Sequence, residues 1–418
     1  MVPLNIAIVG AGIGGPAAAV GLARNGHNVT LYERATSIGS VGFAFRVTPN
    51  SDRCLKFLGI DALAGGAVAA DLCRMMTSKG ELLGEFRENQ NPEGLNGGLS
   101  VFAHRPALQK QLIDEARRWG AQIKTGVEVT SVDVPCCTIT FADGSTSTVD
   151  LIIAADGVNS CIRPEIIDSG LYPLKTSTGH NCLRATLPLR AILGDPTTSG
   201  AINDELRLLS WHGDDKIIIG YVVDHGRLFN IVCAHSEELS NGETSSGDDA
   251  ENTGSEHRIS LDKAREIYKD FDNVAVRLIE LADPGSFRVW KLMDMDDIPR
   301  WSADRVVLLG DACHPLVPFG FSGASMAIED AVTLTELLLS DVNLEQVQGR
   351  LQLYERIRKP RVAKVRDQSR LVASNFKQPG GFKAFREFLD NHDAAEYAKQ
   401  ELKKQVHAPP AVVVNDAH

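Results

Sequence analysis

A glycine-rich turn near the amino terminus constrains the fold of this chain more than any other feature. The segment GAGIGG places Gly10, Gly12 and Gly15 after a short apolar run and before an alanine-rich run that is typical of a helix. A second apolar run follows and ends at Glu33. This order predicts a strand–helix–strand unit whose glycine turn faces a bound pyrophosphate.

Each glycine of the turn has its own physical reason. Gly10 permits the tight turn, Gly12 lets a pyrophosphate approach the backbone, and Gly15 permits close packing of the helix. The amino terminus of the helix supplies partial positive charge, and Glu33 is placed to accept hydrogen bonds from the hydroxyls of a ribose. An acidic residue there selects an unphosphorylated ribose, which favours FAD or NAD over NADP.

Length and composition narrow the classes of function. With 418 residues the chain is long enough for two domains or one elaborate domain. Its net charge of −11 argues against a general nucleic-acid or anionic-membrane binder. The eight cysteines include no CxxC pair, and we interpret them as reduced thiols. No apolar run reaches the roughly 18 residues of a membrane helix, so a soluble cytoplasmic protein is expected.

Two further motifs follow predicted strands. In DLIIAADGVNSCIR the strand ends at Asp156, and alone this fits a plain strand-to-turn transition equally well. In RVVLLGDACHPLVPFGFSGASMAIEDA, Asp311 follows a strand, and Gly323 and Ala324 lie where a helix begins. Asp311 can accept from a ribityl hydroxyl, and the N–H groups of a helix amino terminus can face an electron-rich ring edge. The second motif therefore predicts another contact with a dinucleotide.

His314, in the same segment, is of a residue type that binds metals. No second histidine or cysteine stands at ligand spacing from it. We therefore expect no metal site, and we expect His314 to pack and form hydrogen bonds within its loop.

Taken together, these motifs resemble the class A flavin-dependent monooxygenases, the family of salicylate and para-hydroxybenzoate hydroxylases, with fungal members the most similar. The match covers nearly the whole chain. It runs in the same order through GxGxxG, HRxxL (His104, Arg105, Leu108), the DG motif, GDAxHPxxPxxxxG and a closing YERIRKPRVAKV.

The resemblance implies an α/β fold with a Rossmann-like FAD-binding domain of the glutathione-reductase type. A mixed β-sheet substrate domain is inserted into it, and helices follow at the carboxyl end. The implied boundaries are residues 1–75, 98–170 and 300–375 for the FAD-binding domain, 76–97 and 171–299 for the substrate domain, and 376–418 for a helical segment with a flexible tail.

The resemblance also implies roles for individual residues. Positions matching Glu33 and Asp311 hold hydroxyls of FAD, and the position matching Arg105 reaches its pyrophosphate or ribityl region. The position matching Asp156 serves both FAD and a transient NAD(P)H. The full set of implied cofactor contacts is Gly10, Gly12, Gly15, Glu33, Arg34, Ala44, Arg46, Arg105, Asp156, Asp311, Gly323 and Ala324.

The implied reaction consumes NAD(P)H and O2. Reduced FAD reacts with O2 to form a C4a-hydroperoxide, and the distal oxygen of this group passes to a phenol- or indole-like aromatic small molecule. The resemblance implies a role in secondary metabolism. Arg184 matches an arginine that stabilises a phenolate in related fungal phenol hydroxylases, and Tyr221 matches a tyrosine on the neighbouring strand. A salt-bridged arginine and a core tyrosine are the open alternatives for these two catalytic candidates. The expected partners are small molecules alone, with no nucleic acid or membrane, for a monomer or homodimer.

Two departures from the family pattern bear on the substrate. Arg46 lies near the expected flavin, at a position where glutamine is common in the family. Phe321 begins the segment FSG, at the place where the family usually has GQG before the last helix. Both argue against a simple salicylate-type substrate. Trp211 and His212 are further pocket candidates, although core packing is favoured for them. A same-fold reductase or oxidase without oxygen insertion and a non-catalytic flavin-binding module are the alternative functions.

Overall fold

The computed structural model describes residues 2–39, 43–89, 97–167, 175–203, 206–240, 256–283, 287–318, 322–373 and 382–407. Its first half contains, in order, β1 (Asn5–Val9), α1 (Gly14–Arg24), β2 (Asn28–Glu33), β3 (Ala44–Val47), α2 (Pro49–Phe57), β4 (Val68–Ala69), β5 (Leu72–Thr77), β6 (Leu82–Arg87), β7 (Val101–His104), α3 (Arg105–Arg118), β8 (Gln122–Thr125), β9 (Val129–Asp133), β10 (Thr138–Phe141), β11 (Thr146–Thr148), β12 (Leu151–Ala154) and α4 (Arg163–Ile167).

The second half adds β13 (Lys175–Pro188), α5 (Leu189–Gly194), β14 (Leu206–His212), β15 (Ile217–Val223), β16 (Leu228–Ser236), β17 (Glu256–Arg258), α6 (Leu261–Tyr268), α7 (Asn273–Glu280), β18 (Arg288–Asp294), β19 (Ser302–Ala303), β20 (Val306–Leu308), α8 (Gly323–Leu337), α9 (Leu344–Ala373), α10 (Phe382–Asp390) and α11 (Ala394–His407).

A six-stranded sheet forms the centre of the larger domain. Its strand order is β19–β20–β12–β1–β2–β8, and each neighbouring pair is parallel except β19 with β20. Strand β12 is buried along its whole length, as an apolar parallel strand covered on both faces should be. Helix α1 buries ten of its eleven residues and packs against α3 and α8. This sheet confirms the predicted Rossmann-like domain.

An eight-stranded sheet forms the inserted domain. Its order is β17–β18–β13–β16–β15–β14–β5–β6, and the β14–β5 pair is parallel while the others are antiparallel, so the sheet is mixed as predicted. Its strand β5 starts at Leu72. The predicted boundary between residues 75 and 76 therefore cuts a strand and is corrected to lie before Leu72, because pairing with β14 assigns the whole of β5 to this sheet.

The two faces of the eight-stranded sheet have different neighbours. Because side chains alternate along a strand, residues such as Leu183 and Ile218 face α6 and α7 and form one buried core. The alternate residues, such as Leu208 and Tyr221, pack with Phe102 of β7. We call this second side the cleft face, since it is turned toward β3 and β7 of the larger domain.

The chain's last helices lie against the larger domain. Helix α10 contacts α2, and α11 contacts α2, α8 and α9. The predicted helical segment at the carboxyl end is thus present, whereas the predicted flexible tail lies outside the described residues. Among the helices that the structure describes, none combines the length and the apolar composition needed to cross a membrane.

Candidate active site

The glycine turn between β1 and α1 is closed to side chains at two positions and open at a third. A Cβ on Gly10, whose φ is +102°, would lie 2.3 Å from the Ala155 carbonyl oxygen, and one on Gly15 would lie 2.0 Å from that of Gly10. A Cβ on Gly12 would have only the Arg105 Nη2 atom nearby, at 3.8 Å. The turn and Arg105 thus border a space that fits a pyrophosphate.

The Glu33 carboxylate is held rigidly at the end of β2. Its Oε2 accepts from the backbone N–H of Ala11 at 2.8 Å, and its Oε1 accepts from that of Ala35 at 2.9 Å. Each oxygen keeps a further lone pair for a ribose hydroxyl. Arg34 follows at the strand end and is exposed.

Arg105 and Asp311 are charged residues of the same cleft. Both side chains are exposed to solvent, but they lie in a concave part of the surface where many protein atoms are nearby. This surrounding raises the pKa of Asp311 above its ordinary value, although the charges of His314 and Arg105 oppose the change. It also lowers the pKa of Arg105, with Asp311 opposing. An acceptor and a cation therefore stand ready for hydroxyl and phosphate groups.

A buried hydrogen-bond group fixes the loop that carries Asp311. The Asp330 Oδ2 atom accepts from the Gly310 N–H at 3.1 Å and lies 2.6 Å from His314 Nε2. The Sγ atom of Cys313 lies within 4.8 Å of the His314 and Asp330 atoms that could bind a metal. Burial raises the pKa of the Cys313 thiol well above the ordinary value, which disfavours the thiolate form that binds metals. The backbone N–H of His314 thus bonds within the loop, to the Gly310 carbonyl at 2.9 Å, whereas its ring bonds to Asp330 of helix α8, outside the loop.

The DG loop is tied to the loop of Asp311. Asp156 Oδ2 accepts from the Cys161 N–H at 2.9 Å. Arg163 donates to the carbonyl oxygens of Val158 at 2.8 Å and Ala312 at 2.9 Å. Asp156 Oδ1 has no hydrogen-bond partner among the described residues. One acceptor oxygen in this loop is therefore buried without a partner among the described residues.

The amino terminus of α8 lies beside that of α2. Gly323 and Ala324 are half-buried in the first turn of α8, where N–H groups lack partners within the helix. Ser325 accepts a hydrogen bond of 2.8 Å from Thr48, the residue that precedes α2. The amino termini of α2 and α8 are thus neighbours, and a helix amino terminus favours negative charge or an electron-rich ring edge. Phe321, which departs from the family pattern, lies outside the described residues.

Arg184 projects from β13 on the cleft face. Its Cζ atom lies 6.0 Å from the centre of the Phe43 ring, and the carbonyl of Phe43 accepts from the Arg105 N–H at 3.0 Å. The Arg184 charge contributes to the lowered pKa of Arg105. Its buried Nε atom has no hydrogen-bond partner among the residues described. Arg184 is therefore a cation inside the protein. The alternative of a salt-bridged arginine is not observed among the described residues.

Tyr221 lies in the core between the two domains. Its hydroxyl donates to the carbonyl of Ala44 at 2.8 Å, and its ring stacks on Phe102 with centroids 4.5 Å apart. The side chain is 1% exposed, and burial raises the pKa of its hydroxyl above the ordinary value. This geometry corresponds to the alternative of a core tyrosine with a satisfied hydroxyl rather than to a catalytic group.

Arg46 belongs to a buried ion cluster. Its Nη2 atom pairs with Glu88 at 2.5 Å, and its Nε donates to Ser100 Oγ at 2.8 Å. Glu88 also pairs with Arg386 of α10 at 2.6 Å. The predicted contact of Arg46 with flavin stays a prediction, but the observed partner of its charge is Glu88. The other β3 candidate, Ala44, is held by Tyr221 and by a 3.2 Å bond from its N–H to Asn230.

The two remaining pocket candidates lie on opposite faces of β14. Trp211 is 1% exposed in the core that faces α6 and α7, and its Nε1 donates to Asp272 at 3.3 Å. Core packing, the favoured interpretation, is confirmed for Trp211. His212 lies on the cleft face, 2.9 Å from the hydroxyl of Ser210.

Two residues near the candidate site were not singled out by the sequence analysis. Asp330 holds the Asp311 loop, and the signal for it was present, because two adjacent acids in the apolar segment SMAIEDA must find partners inside the protein. Trp290, on the cleft face of β18, carried no such signal because its orientation depends on strand register.

Known proteins match this chain over most of its length. Residues 179–369 match the family model described as an FAD binding domain, and residues 8–58 match that of an NAD(P)-binding Rossmann-like domain. Hispidin-3-hydroxylase of Neonothopanus nambi is 30% identical over 373 residues, covering 86% of each chain. 3-Hydroxybenzoate 6-hydroxylase 1 of Aquipseudomonas alcaligenes is 30% identical over 398 residues, covering 92% of this chain and 93% of that protein.

Solved structures share the fold. The crystal structure of CtdE with FAD and a substrate superposes with a TM-score of 0.81 at 24% identity, covering 96% of this chain and 98% of the other. A salicylate hydroxylase substrate complex gives a TM-score of 0.75 at 22% identity, with 96% and 98% covered. The open cradle at Gly12, the Asp156 oxygen that has no partner among the described residues, and the α8 terminus fit FAD. The chain therefore belongs to the class A FAD-dependent aromatic monooxygenases.

Proposed function

We propose that this enzyme uses NAD(P)H and O2 to insert one oxygen atom into a phenol- or indole-like small molecule, in secondary metabolism. The names of two relatives support the aromatic substrate, since they are hydroxylases of hispidin and of 3-hydroxybenzoate. We further propose that it works in the cytoplasm, as a monomer or homodimer, without nucleic acid or membrane. The free state of all eight cysteines and the net charge of −11 support this setting.

The observation that carries the proposal is the position of Arg184. A guanidinium that is half-buried on the cleft face, with an Nε atom open to a partner, can hold a phenolate oxygen. A negative phenolate makes the aromatic ring more electron-rich and so more ready to accept an oxygen atom. Apolar side chains of the same face, such as Ile219 and Val232, would keep water away from it.

The cofactor would be held by the residues around the glycine turn. Glu33 and Asp311 would accept from hydroxyls of FAD, Arg105 would bind its pyrophosphate, and the N–H groups of Gly323 and Ala324 would face the flavin ring. When bound, FAD supplies the chemistry that activates O2. The remaining task of the chain is to position the substrate and to exclude water.

NAD(P)H would dock transiently near the DG loop. Within the described residues one glycine turn of the dinucleotide-binding type lies at the six-stranded sheet, and in this proposal it belongs to FAD. Asp156, whose Oδ1 atom has no partner in the described part of the chain, is the acceptor that we propose for both nucleotides.

The test measures NADH and NADPH oxidation by the FAD-loaded enzyme over a panel of phenols and indoles, with mass detection of oxygen taken from ¹⁸O2. Arg184→Met should lower kcat/KM by about 10²- to 10³-fold, the usual loss for one donor to a developing anion, and should leave FAD content unchanged. The exposed Arg190→Met on α5 is the matched control.

Two results would contradict the proposal. Equal losses of FAD content and turnover in Arg184→Met would assign Arg184 a structural role. NAD(P)H oxidation that yields hydrogen peroxide and never a labelled product, across the whole panel, would favour the reductase or oxidase alternative.

A further inference from the structure

We infer that Trp290 determines specificity together with Arg184, and that the two side chains bind a phenol carrying an acceptor oxygen on the neighbouring ring carbon. This inference rests on the proposed function, because it assumes that the phenolate lies against Arg184. It adds a second recognition point that the proposed function does not require.

Strand register places the two side chains on the same face of the sheet. Cys182 of β13 pairs with Trp290 of β18, and Arg184 lies two residues further along β13. Trp290 and Arg184 are therefore diagonal neighbours, with Cα atoms roughly 7–8 Å apart, a distance that long side chains bridge. Both point to the cleft face.

The Phe43 ring lies close to both side chains. Its centroid is 6.0 Å from that of Trp290, with the rings at 86°, and 6.0 Å from the Cζ atom of Arg184. Phe43 directly precedes β3 and its carbonyl binds the N–H of Arg105, so this group borders the cofactor site. Two aromatic walls and one cation thus meet at one place, which suits an aromatic anion.

Both donors are open in this arrangement. The Nε1 atom of Trp290 and the Nε atom of Arg184 are buried, and neither has an acceptor among the described residues. The contrast is Trp211 on the opposite face of the same sheet, whose Nε1 donates to Asp272. Because buried donors are nearly always satisfied, two open donors on one cleft face indicate acceptors that a ligand supplies.

The donor pair defines the chemistry of the ligand. The cationic donor matches an anionic oxygen, and the neutral indole N–H matches a neutral carbonyl oxygen. An ortho-acyl phenol presents these two oxygens side by side on one planar ring. A phenol without the acyl group leaves the Trp290 donor unsatisfied, which costs affinity.

The test compares 2-hydroxyacetophenone with 2-ethylphenol, which has a similar shape and lacks the carbonyl. Calorimetric titration of the FAD-loaded enzyme without NAD(P)H measures both dissociation constants. The wild type should bind the ketone roughly tenfold more tightly, the usual worth of one hydrogen bond. Trp290→Phe should remove this preference and leave the affinity for 2-ethylphenol within about twofold. Trp211→Phe, the matched control, should keep the preference.

The outcomes separate this inference from the proposed function. Equal affinity of the wild type for both ligands overturns the inference, even where Trp290→Phe does not fold. So does an equal loss for both ligands in Trp290→Phe, which would indicate packing. A Trp290-dependent preference without labelled product sinks the proposed function and keeps the inference. Oxygen insertion without a preference for 2-hydroxyacetophenone over 2-ethylphenol would overturn the inference and keep the proposed function.

Discussion

Arg358 and Arg184 both place a guanidinium inside the protein, but their surroundings differ. Arg358, on α9, is fully buried and pairs with Glu329 at 2.5 Å and Asp330 at 2.7 Å, while its third nitrogen donates to the Met326 carbonyl at 3.2 Å. Arg184, on the cleft face, is half-buried and leaves its Nε without a partner in the described part of the chain. All three nitrogens of Arg358 have partners within the protein, whereas the Nε atom of Arg184 has none among the described residues.

The pKa shifts of the first region follow from this pairing. Burial disfavours charge on Glu329 and Asp330, but the guanidinium groups of Arg361 and Arg358 keep the pKa of Glu329 below its ordinary value. For Asp330, His314 and Arg358 do the same. A buried network of this kind is stable only while all members are present. Through Asp330 this network fixes the loop of Asp311, so the ion pairs around Arg358 support the candidate cofactor site.

The largest expected effect is the difference in stability between two matched substitutions. Arg358→Met should lower the free energy of unfolding by about 3–5 kcal/mol, because two fully buried carboxylates each lose one of their two charged partners. Arg184→Met should change it by less than about 1 kcal/mol, since no ion pair is broken. Urea unfolding of the two variants measures the difference, with exposed Arg356→Met of α9 as the control. Similar losses for both would abolish the distinction.

A smaller effect concerns the acid sensitivity of the same region. Burial lowers the pKa of His392 to about 4, and nearby Arg361 and Arg358 act in the same direction while Glu329 opposes them. Between pH 6.5 and 4 the unfolded chain binds a proton at this position and the folded protein does not, so stability falls as the pH drops through this window.

His392→Gln should remove that part of the pH dependence, on the order of 2–3 kcal/mol between pH 7 and pH 4. Unfolding midpoints measured across the range provide the check, with the exposed His225→Gln as control. An unchanged slope in His392→Gln would show that carboxylates of the cluster, rather than this imidazole, set the acid limit.

How much could be predicted from the sequence follows the same division. The places of the glycine turn, Glu33 and Asp311 in the fold could be predicted, because a strand end and a helix start are signalled by local sequence, whereas their contacts with FAD stay a prediction. Pairing across the fold was not. The partner of Arg46 is Glu88, far along the chain, and only the packed structure brings them together.

Strand register was the second limit. Trp211 and His212 are adjacent in sequence, and alternation sends one to the core and the other to the cleft face. The sequence pattern identified the strand but not which residue faces which side. For the same reason Trp290 was not recognised. The predicted boundary cut β5 because the pairing partner of this strand, β14, lies far along the chain.

The smallest expected effect tests whether Tyr221 stabilises the fold or takes part in catalysis. Burial raises the pKa of its hydroxyl, which therefore keeps its proton at neutral pH, and this O–H already donates to the Ala44 carbonyl at 2.8 Å. Tyr221→Phe should therefore lower the free energy of unfolding by about 1 kcal/mol, the usual worth of one hydrogen bond. It should leave kcat within about twofold, since no transition-state interaction is lost.

The control for Tyr221→Phe is Tyr268→Phe on α6, another fully buried tyrosine, whose hydroxyl lies 2.9 Å from His235 and away from the cleft face. Both variants should lose similar stability, measured by urea unfolding, and keep similar turnover. A loss of kcat of tenfold or more in Tyr221→Phe alone, with FAD content intact, would show that Tyr221 takes part in catalysis. In that case the Ala44 carbonyl would have to release the hydroxyl when substrate binds, because one O–H donates to only one acceptor at a time.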